Sequence, residues 1–290
     1  MSLSLAERQT AERLIHLALA EDLDERGDLT SSCVVPAQTR GQALFVARKP
    51  GRLAGLPIAQ MVFAQVDPQV SWQSLLADGA LLQPGMALAR VSGPMRSILV
   101  AERTALNFVQ RLSGIASLTA RYAEQIAGTR AVLLDTRKTT PGWRHLEKYA
   151  VRCGGGTNHR LGLYDGVLIK DNHLAALGFG PQAVAQAVQA ARVQYGHSVP
   201  IEVEVDTLEQ LEVALTAEPD IILLDNMPPD LLCQAIARRD AVAPAIRLEA
   251  SGGVNLDTIA AIAATGIDRI SVGALTHSAV ALDIGLDYER

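Results

Sequence analysis

Residues 201–225 read IEVEVDTLEQLEVALTAEPDIILLD. Apolar runs stand at both ends, 201–205 and 221–225, and a helical pattern lies between them. Short apolar strands separated by a helix indicate a parallel βα unit, because two parallel strands need a crossover between them. The stretch therefore predicts a parallel sheet with helices packed against it.

The same alternation of strand and helix continues on both sides of this stretch. The predicted strands are 131–135, 167–170, 201–205, 221–225, 246–250 and 269–273. They end in polar or small residues, namely Asp135, Lys170, Glu204, Asp225, Ser251 and Gly273. Reactive residues at the end of strand after strand are typical of an α/β barrel, whereas a doubly wound sheet concentrates them at one switch point. Six strands instead of eight predict an incomplete barrel.

The N-terminal region has a different pattern. A helical pattern at the start of the chain is followed by β-rich pieces at 41–56 and 69–94, which are punctuated by Gly and Pro. Alternating apolar residues between turn signals predict an antiparallel sheet. A long helix is predicted to begin near Ser97.

The composition is that of a globular protein, with 49% hydrophobic and 20% charged residues. No apolar run reaches the roughly 20 residues of a membrane helix, and the N-terminus does not resemble a signal peptide. Three cysteines without metal-type spacing favour a reducing, cytoplasmic location. Aromatic residues make up only 4% and the net charge is −5, so we expect neither nucleic acid nor a membrane as a partner.

One segment of this acidic chain is basic. Residues 136–172 contain seven Lys or Arg, two His and three acids. Five of these side chains are predicted to lie near strand ends: Arg137, Lys138, His159, Arg160 and Lys170. Arginine forks bind carboxylates and phosphates in a bidentate manner. The segment therefore predicts a site for a small ligand with several negative charges.

Three further features of the basic segment can be interpreted from the sequence. Glycines 154–156 would let backbone N–H groups approach an anion. Arg144, Lys148 and Arg152 stand at helical spacing and are predicted to be solvated. Cys153 has no evident general base nearby in sequence and is predicted to be a packing residue.

Two carboxylates end adjacent predicted strands. Glu204 and Asp225 should share one rim, where they could hold Mg²⁺ or bind sugar hydroxyls. Glu202 lies two residues before Glu204 and should point to the same side of the strand, so the pattern leaves open which of the two serves a metal. Ser251, Gly252 and Gly253, with Gly273 after the last strand, predict a phosphate-binding turn.

Several motifs together resemble the quinolinate phosphoribosyltransferase family. They are DTRKTTPGWR, KYAVRCGGGTNHRLGLYDGVLIKDNH, EVEVDTLEQL, IILLDNM and EASGGV, with EDLDERGDLTS and AERTALNFVQRLSGIA upstream. The resemblance covers nearly the whole chain. A molybdenum-associated relative shares the TRKT and GGG patterns, but LIKDNH and LLDN are not expected there.

The resemblance implies a fold and an activity. The fold would be an N-terminal α/β sandwich, residues 1–113, with the tail 276–290 packed on it, and an incomplete α/β barrel, residues 114–275. The activity would convert quinolinate and phosphoribosyl pyrophosphate to nicotinate mononucleotide, pyrophosphate and CO₂ in NAD biosynthesis. It would need Mg²⁺ and no organic cofactor, and the enzyme would be a cytoplasmic homodimer.

The resemblance also implies roles for the candidate residues. Quinolinate would be bound by Arg137, His159, Arg160 and Lys170, and by Arg103 of the partner subunit. Lys138 would face the pyrophosphate, while Glu204 and Asp225 would serve the ribose and the metal, directly or through water. The 5-phosphate would be bound by Ser251, Gly252, Gly253 and Gly273. The catalytic set would be Lys138, Lys170, Glu204 and Asp225.

Two other functions remain open at the level of sequence. Lys170 at a strand end could form a Schiff base, as in an aldolase. Alternatively, an anion-sensing regulatory protein would use the same cations without turnover. No DNA-binding motif supports such a regulator.

Overall fold

The computed structural model describes residues 1–178 and 180–289. The first part of the chain forms α1 (Leu5–Leu23), α2 (Leu29–Val34), β1 (Arg40–Ala47), β2 (Gly51–Arg52), α3 (Leu56–Val66), β3 (Ser71–Ser74), β4 (Leu81–Leu82), β5 (Ala87–Pro94) and α4 (Met95–Gln125). The second part forms β6 (Val132–Leu134), α5 (Arg144–Cys153), β7 (Val167–Ile169), α6 (Asp171–Ala176), α7 (Pro181–Tyr195), β8 (Ile201–Val205), α8 (Leu208–Ala217), β9 (Ile221–Asp225), α9 (Pro229–Val242), β10 (Arg247–Ser251), α10 (Ile259–Ala264), β11 (Arg269–Ser271), α11 (Ala274–His277) and β12 (Ile284–Tyr288).

The chain divides into two compact units. The first unit comprises residues 1–120, 139–155 and 275–290, and the second comprises residues 121–138 and 156–274. Among the described residues, no helix is both long enough and apolar enough to cross a membrane.

The first unit contains the predicted antiparallel sheet. Its strand order is β12-β1-β5-β3, and each neighbouring pair is antiparallel. The C-terminal tail joins this sheet, since β12 pairs with β1. Helix α3 packs against the sheet through Phe63, whose ring lies 6.0 Å from that of Phe45 and 5.6 Å from that of Trp72. Aromatic burial of this kind joins the helix and the sheet into one core.

The division into units differs from the predicted domain ranges in two places, the segment 139–155 and the boundary near residue 113. Residues 139–155, which include α5, belong to the first unit and not to the barrel. Tyr149 of α5 donates a hydrogen bond to Asp78 at 2.7 Å, and Arg152 pairs with Glu7 of α1 at 2.7 Å. The predicted boundary at residue 113 also falls inside α4, which is one continuous helix. A helical pattern predicts a buried face without saying which core that face joins.

The second unit contains the predicted parallel sheet of six strands. Its order is β6-β11-β10-β9-β8-β7, and every pairing is parallel. This is the order of a barrel whose first strand lies beside its last. In the described residues β6 and β7 are not paired, and a single bridge from Leu134 to Thr157 stands at the opening. The prediction of an incomplete α/β barrel is therefore confirmed.

Candidate active site

A cavity of about 770 Å³ lies at the carboxyl ends of the parallel strands, within the second unit. We call it the rim cavity. Its lining comprises Thr136, Arg137, Lys138, His159, Arg160, Leu168, Lys170, Asp171, Asn172, Glu204, Leu223, Asp225, Asn226, Glu249, Ser251, Gly252, Gly253 and Ser271. All of the predicted site residues except Arg103 and Gly273 are in this lining.

Two arginines in the rim cavity repel one another. Burial and the nearby Arg137 both lower the pKa of Arg160. The Arg160 guanidinium donates to the carbonyl of Gly166 at 3.2 Å, which holds it at the opening between the first two barrel strands. Like charges held close together are relieved by a bound anion. The pair is therefore suited to a ligand carboxylate or phosphate.

Lys170 and Glu204 form an ion pair across adjacent strand ends. The Glu204 carboxylate is almost fully buried, while the Lys170 side chain is about half exposed. His173 is not part of this pair; its Nδ1 accepts the backbone N–H of Lys170 at 2.9 Å, where α6 begins. His173 therefore fixes the backbone at Lys170, and its role is structural.

His159 lies in a buried cluster with two glutamates. Its Nε2 is 3.0 Å from Glu202 and 3.4 Å from Glu249, and Arg269 pairs with Glu249 at 2.7 Å. Burial by itself lowers the pKa of His159, but the hydrogen bonds to Glu202 and Glu249 outweigh it and raise the pKa to about 9. The backbone N–H of Arg160 donates to His159 Nδ1 at 2.8 Å, which opposes protonation of that nitrogen.

The contacts of this cluster show that Glu202 and Glu204 have different partners. Both are buried in β8. Glu202 pairs with His159, whereas Glu204 pairs with Lys170 and lines the rim cavity. Burial and repulsion by Glu249 raise the pKa of Glu202. Glu204 is therefore the better placed of the two for a ligand.

Asp135 holds the segment that carries His159 and Arg160. It is completely buried just after β6 and accepts hydrogen bonds from the Asn158 side chain at 2.7 Å and from the His159 backbone N–H at 2.8 Å. A buried carboxylate that accepts such bonds is strongly anchored. The strand-end acid thus supports the neighbouring cations of the site.

Negative charge also accumulates in the rim cavity, where Asp225 lies near Glu204. Burial, followed by the charges of Glu204 and Asp206, raises the pKa of Asp225. Carboxylate oxygens are the ligands that Mg²⁺ prefers, and a cation would relieve this repulsion. Glu204 and Asp225 therefore fit a magnesium ion, which would compete with Lys170 for Glu204.

The predicted phosphate-binding turn begins at the end of β10. Gly252 and Gly253 have φ of +83° and +62°, a region that favours glycine. A Cβ at Gly252 would overlap the side-chain amide of Asn226. Asn226 is itself left-handed, with φ of +53°, which asparagine tolerates better than most residues.

Some predicted residues are not in the rim cavity. Arg103 is exposed on α4 of the first unit, and Gly273 is absent from the lining within the described residues. The glycine run is not at the site either, which corrects the anion-binding interpretation. Gly154 belongs to the first unit, where a Cβ would overlap the Ala116 carbonyl of α4. Close helix packing, and not a ligand, accounts for this glycine.

The prediction of solvated side chains on α5 is wrong for Lys148, which is fully buried. Arg152 is partly exposed and paired with Glu7. Cys153 is buried, as expected of a packing residue, and burial followed by the charge of Asp78 raises its pKa to about 12. The thiol is therefore protonated near neutral pH and is a poor nucleophile.

Sequence reasoning missed several polar residues of the lining, among them Glu249 and Asn226. Glu249 was hidden in an apolar strand, where a single acid among buried residues could have signalled a partner inside the barrel. Asn226 follows a strand-end acid, and asparagine at a turn could have indicated the left-handed conformation. Leu168 and Leu223 supply apolar surface in the lining.

These features define an α/β-barrel anion site with carboxylates beside it, of the kind used by phosphoribosyl-transferring enzymes. Two family models cover almost the whole chain: the quinolinate phosphoribosyl transferase N-terminal domain matches residues 28–113, and the C-terminal domain of the same family matches residues 115–287. The chain belongs to the quinolinate phosphoribosyltransferase family.

Individual relatives agree with this assignment. A nicotinate-nucleotide pyrophosphorylase (carboxylating) of Mycobacterium leprae is 48% identical over 287 residues, covering 98% of this chain and 99% of the relative. A quinolinate phosphoribosyltransferase (decarboxylating) of Nicotiana glauca is 41% identical, covering 95% and 81%. The solved nicotinate-nucleotide pyrophosphorylase of Francisella tularensis is similar in structure, with a TM-score of 0.89, 38% identity and coverage of 97% and 96%.

We predict that the His159 ring stays in its charged, doubly protonated form well above neutral pH. Because its folded-state pKa of about 9 exceeds the ordinary value of about 6.5, its contribution to stability is full below pH 6.5 and is lost as the pH rises through 9. Histidine-labelled NMR should show one ring titrating near pH 9, and the variant His159→Gln assigns that signal. A His159 ring that stays neutral from pH 6 upward, with its proton on Nε2, would show that the Arg160 contact dominates.

Proposed function

We propose that this chain transfers the phosphoribosyl group of phosphoribosyl pyrophosphate to quinolinate, with loss of CO₂, to give nicotinate mononucleotide and pyrophosphate. The observation that carries the proposal is the rim cavity, whose lining combines the cations of Arg137, Lys138, Arg160 and Lys170 with the carboxylates of Glu204 and Asp225. Both proposed substrates are polyanions, and one of them carries sugar hydroxyls. The names of the relatives describe this reaction in its two directions.

The cationic side of the cavity suits quinolinate. Arg137, Arg160 and Lys170 can each meet a carboxylate, and Leu168 offers apolar surface to the ring. His159 was also predicted to bind quinolinate. Its Nε2 is engaged with the two glutamates and its Nδ1 with a backbone N–H, so its contribution here is to orient the backbone at Arg160.

The remaining polar residues of the lining suit phosphoribosyl pyrophosphate. Lys138 would stabilise the leaving pyrophosphate, and Ser251, Gly252 and Gly253 would bind the 5-phosphate through backbone N–H groups. Gly273, at the next strand end, is proposed to complete this phosphate site. Glu204 and Asp225 would bind the ribose hydroxyls and hold Mg²⁺, which when bound would neutralise charge on the pyrophosphate.

The chemistry follows from these positions. The bond from ribosyl C1 to pyrophosphate breaks with development of positive charge on the sugar, and a neighbouring carboxylate stabilises that charge more in the transition state than in the ground state. The pyridine nitrogen then forms the new bond to C1. Once ribosylated, the ring accepts the electron pair left at C2 when the adjacent carboxylate departs as CO₂, and a proton replaces it.

The rival functions are less consistent with the site. A Schiff-base lysine needs a free amine to attack a carbonyl, whereas the Lys170 amine is engaged in an ion pair with Glu204. An anion sensor would not need the carboxylates of the lining. A cytoplasmic location remains a prediction.

Release of labelled CO₂ tests the proposed reaction. Quinolinate labelled in the 2-carboxylate should release CO₂ only when phosphoribosyl pyrophosphate and Mg²⁺ are both supplied. Lys138→Ala should lower this rate by at least about a hundred-fold, the typical effect of losing one transition-state donor. Release that does not depend on phosphoribosyl pyrophosphate would refute the transfer, and borohydride trapping at Lys170 would indicate the aldolase.

We further propose a homodimer in which Arg103 of the partner subunit completes each site. Arg103 is exposed on α4, and its exposure leaves its guanidinium accessible to a second chain. The proposal derives from the family resemblance and adds one cation to the quinolinate side. It makes each active site depend on both chains.

Subunit mixing tests the shared site. Arg103→Ala and Lys170→Ala proteins should each be nearly inactive. After random exchange, half of the dimers are mixed, and each mixed dimer has one intact site, so activity should return to about a quarter of wild type. Mass spectrometry confirms the exchange. If mixed dimers form and activity does not recover, Arg103 serves its own barrel or no site at all.

A further inference from the structure

Asn226 contacts two neighbouring parts of the proposed phosphoribosyl site, the Asp225 carboxylate and the turn at residues 251–253. It follows β9 directly after Asp225 and lines the rim cavity beside Gly252. Its side-chain Nδ2 donates to Asp225 Oδ2 at 2.7 Å, and its backbone N–H donates to the Ser251 carbonyl at 2.8 Å. One residue thus contacts both the carboxylate and the turn.

The backbone of Asn226 makes this double contact possible. With φ of +53°, the chain turns so that the side chain returns toward Asp225 and lies against Gly252. The amide fills the space that a Cβ on Gly252 would occupy. Glycine at 252 and asparagine at 226 are therefore matched to each other in shape.

We propose that Asn226 is a positioning residue for phosphoribosyl recognition, which fixes the Asp225 carboxylate through its amide donor and sets the turn at Gly252 by packing. The inference rests on the proposed function for the identity of the ligand. The Asn226 amide donates to Asp225 Oδ2 at 2.7 Å, and a hydrogen bond of this kind to a carboxylate fixes its orientation. Asn226 supplies that donor without adding charge.

Two variants distinguish the effect of the side-chain amide of Asn226 from the effect of its left-handed backbone. Asn226→Gly keeps the left-handed conformation and removes the side chain, while Asn226→Asp keeps the shape and replaces the donor with an acceptor. Glu218→Gly is the matched control, since Glu218 is also left-handed (φ +56°) and lies outside the rim cavity. Because Asn226 is exposed, we expect all three variants to fold.

Calorimetric titration without added metal gives a readout that does not depend on turnover. Both Asn226 variants should bind phosphoribosyl pyrophosphate about ten-fold more weakly, while quinolinate affinity stays within about two-fold, because a lost bond to a charged group affects only the ligand it serves. Glu218→Gly should bind both ligands as wild type does. Equal losses for both ligands, or wild-type affinity in Asn226→Asp, would overturn the inference.

A double-mutant cycle tests the route of the effect. If Asn226 acts through Asp225, adding Asn226→Gly to Asp225→Ala should weaken phosphoribosyl pyrophosphate binding by much less than ten-fold. Additive losses would mean that Asn226 does not act through Asp225 and would overturn that part of the inference. Failure of the proposed function is recognised separately, as a wild-type protein that releases no CO₂ from quinolinate.

Discussion

The parallel alignment of six strands places all their carboxyl ends at one edge, and the candidate site depends on this constraint. In an antiparallel sheet, successive strand ends would lie on opposite edges. Here the residues after β6, β7, β8, β9 and β10 meet in one cavity although they are far apart in sequence. The barrel is open between β6 and β7, and Arg160 lies in the segment that crosses this opening.

Like charges lie close together in that cavity, and their repulsion costs free energy. Arg137 lies close enough to Arg160 to disfavour its charged form, and Glu204 does the same to Asp225. Opposite charges that are already paired, as in Lys170 and Glu204, limit this repulsion. A polyanion bound at the arginines and a cation bound at the carboxylates would relieve the remaining repulsion. Residual repulsion in the free protein is therefore consistent with a site that binds two charged substrates together.

The strands and most of the lining were predictable, because the hydrophobic pattern determines the strands and their alternation with helices determines which ends lie together. Lys170, Glu204 and Asp225 lie at or next to the ends of apolar runs, and parallel strand ends must meet at one edge. The location of α5 was not predictable, since its contact from Tyr149 to Asp78 spans 71 residues and leaves no local pattern. Glu249 was missed because strand periodicity reports burial and not partners. The roles of Arg103 and Gly273 rest on family resemblance, and no feature of the rim cavity derives them.

The most direct measurement of the central claim compares the binding of quinolinate and nicotinate to the wild-type protein by calorimetry. The two molecules differ by one carboxylate, and the cations of the lining, such as Arg137 and Arg160, should distinguish them. We expect quinolinate to bind at least about ten-fold more tightly, since a charged hydrogen-bonding group contributes about 1.5–3 kcal/mol. Equal affinities would contradict the claim that the strand-end cations form a site for two carboxylates.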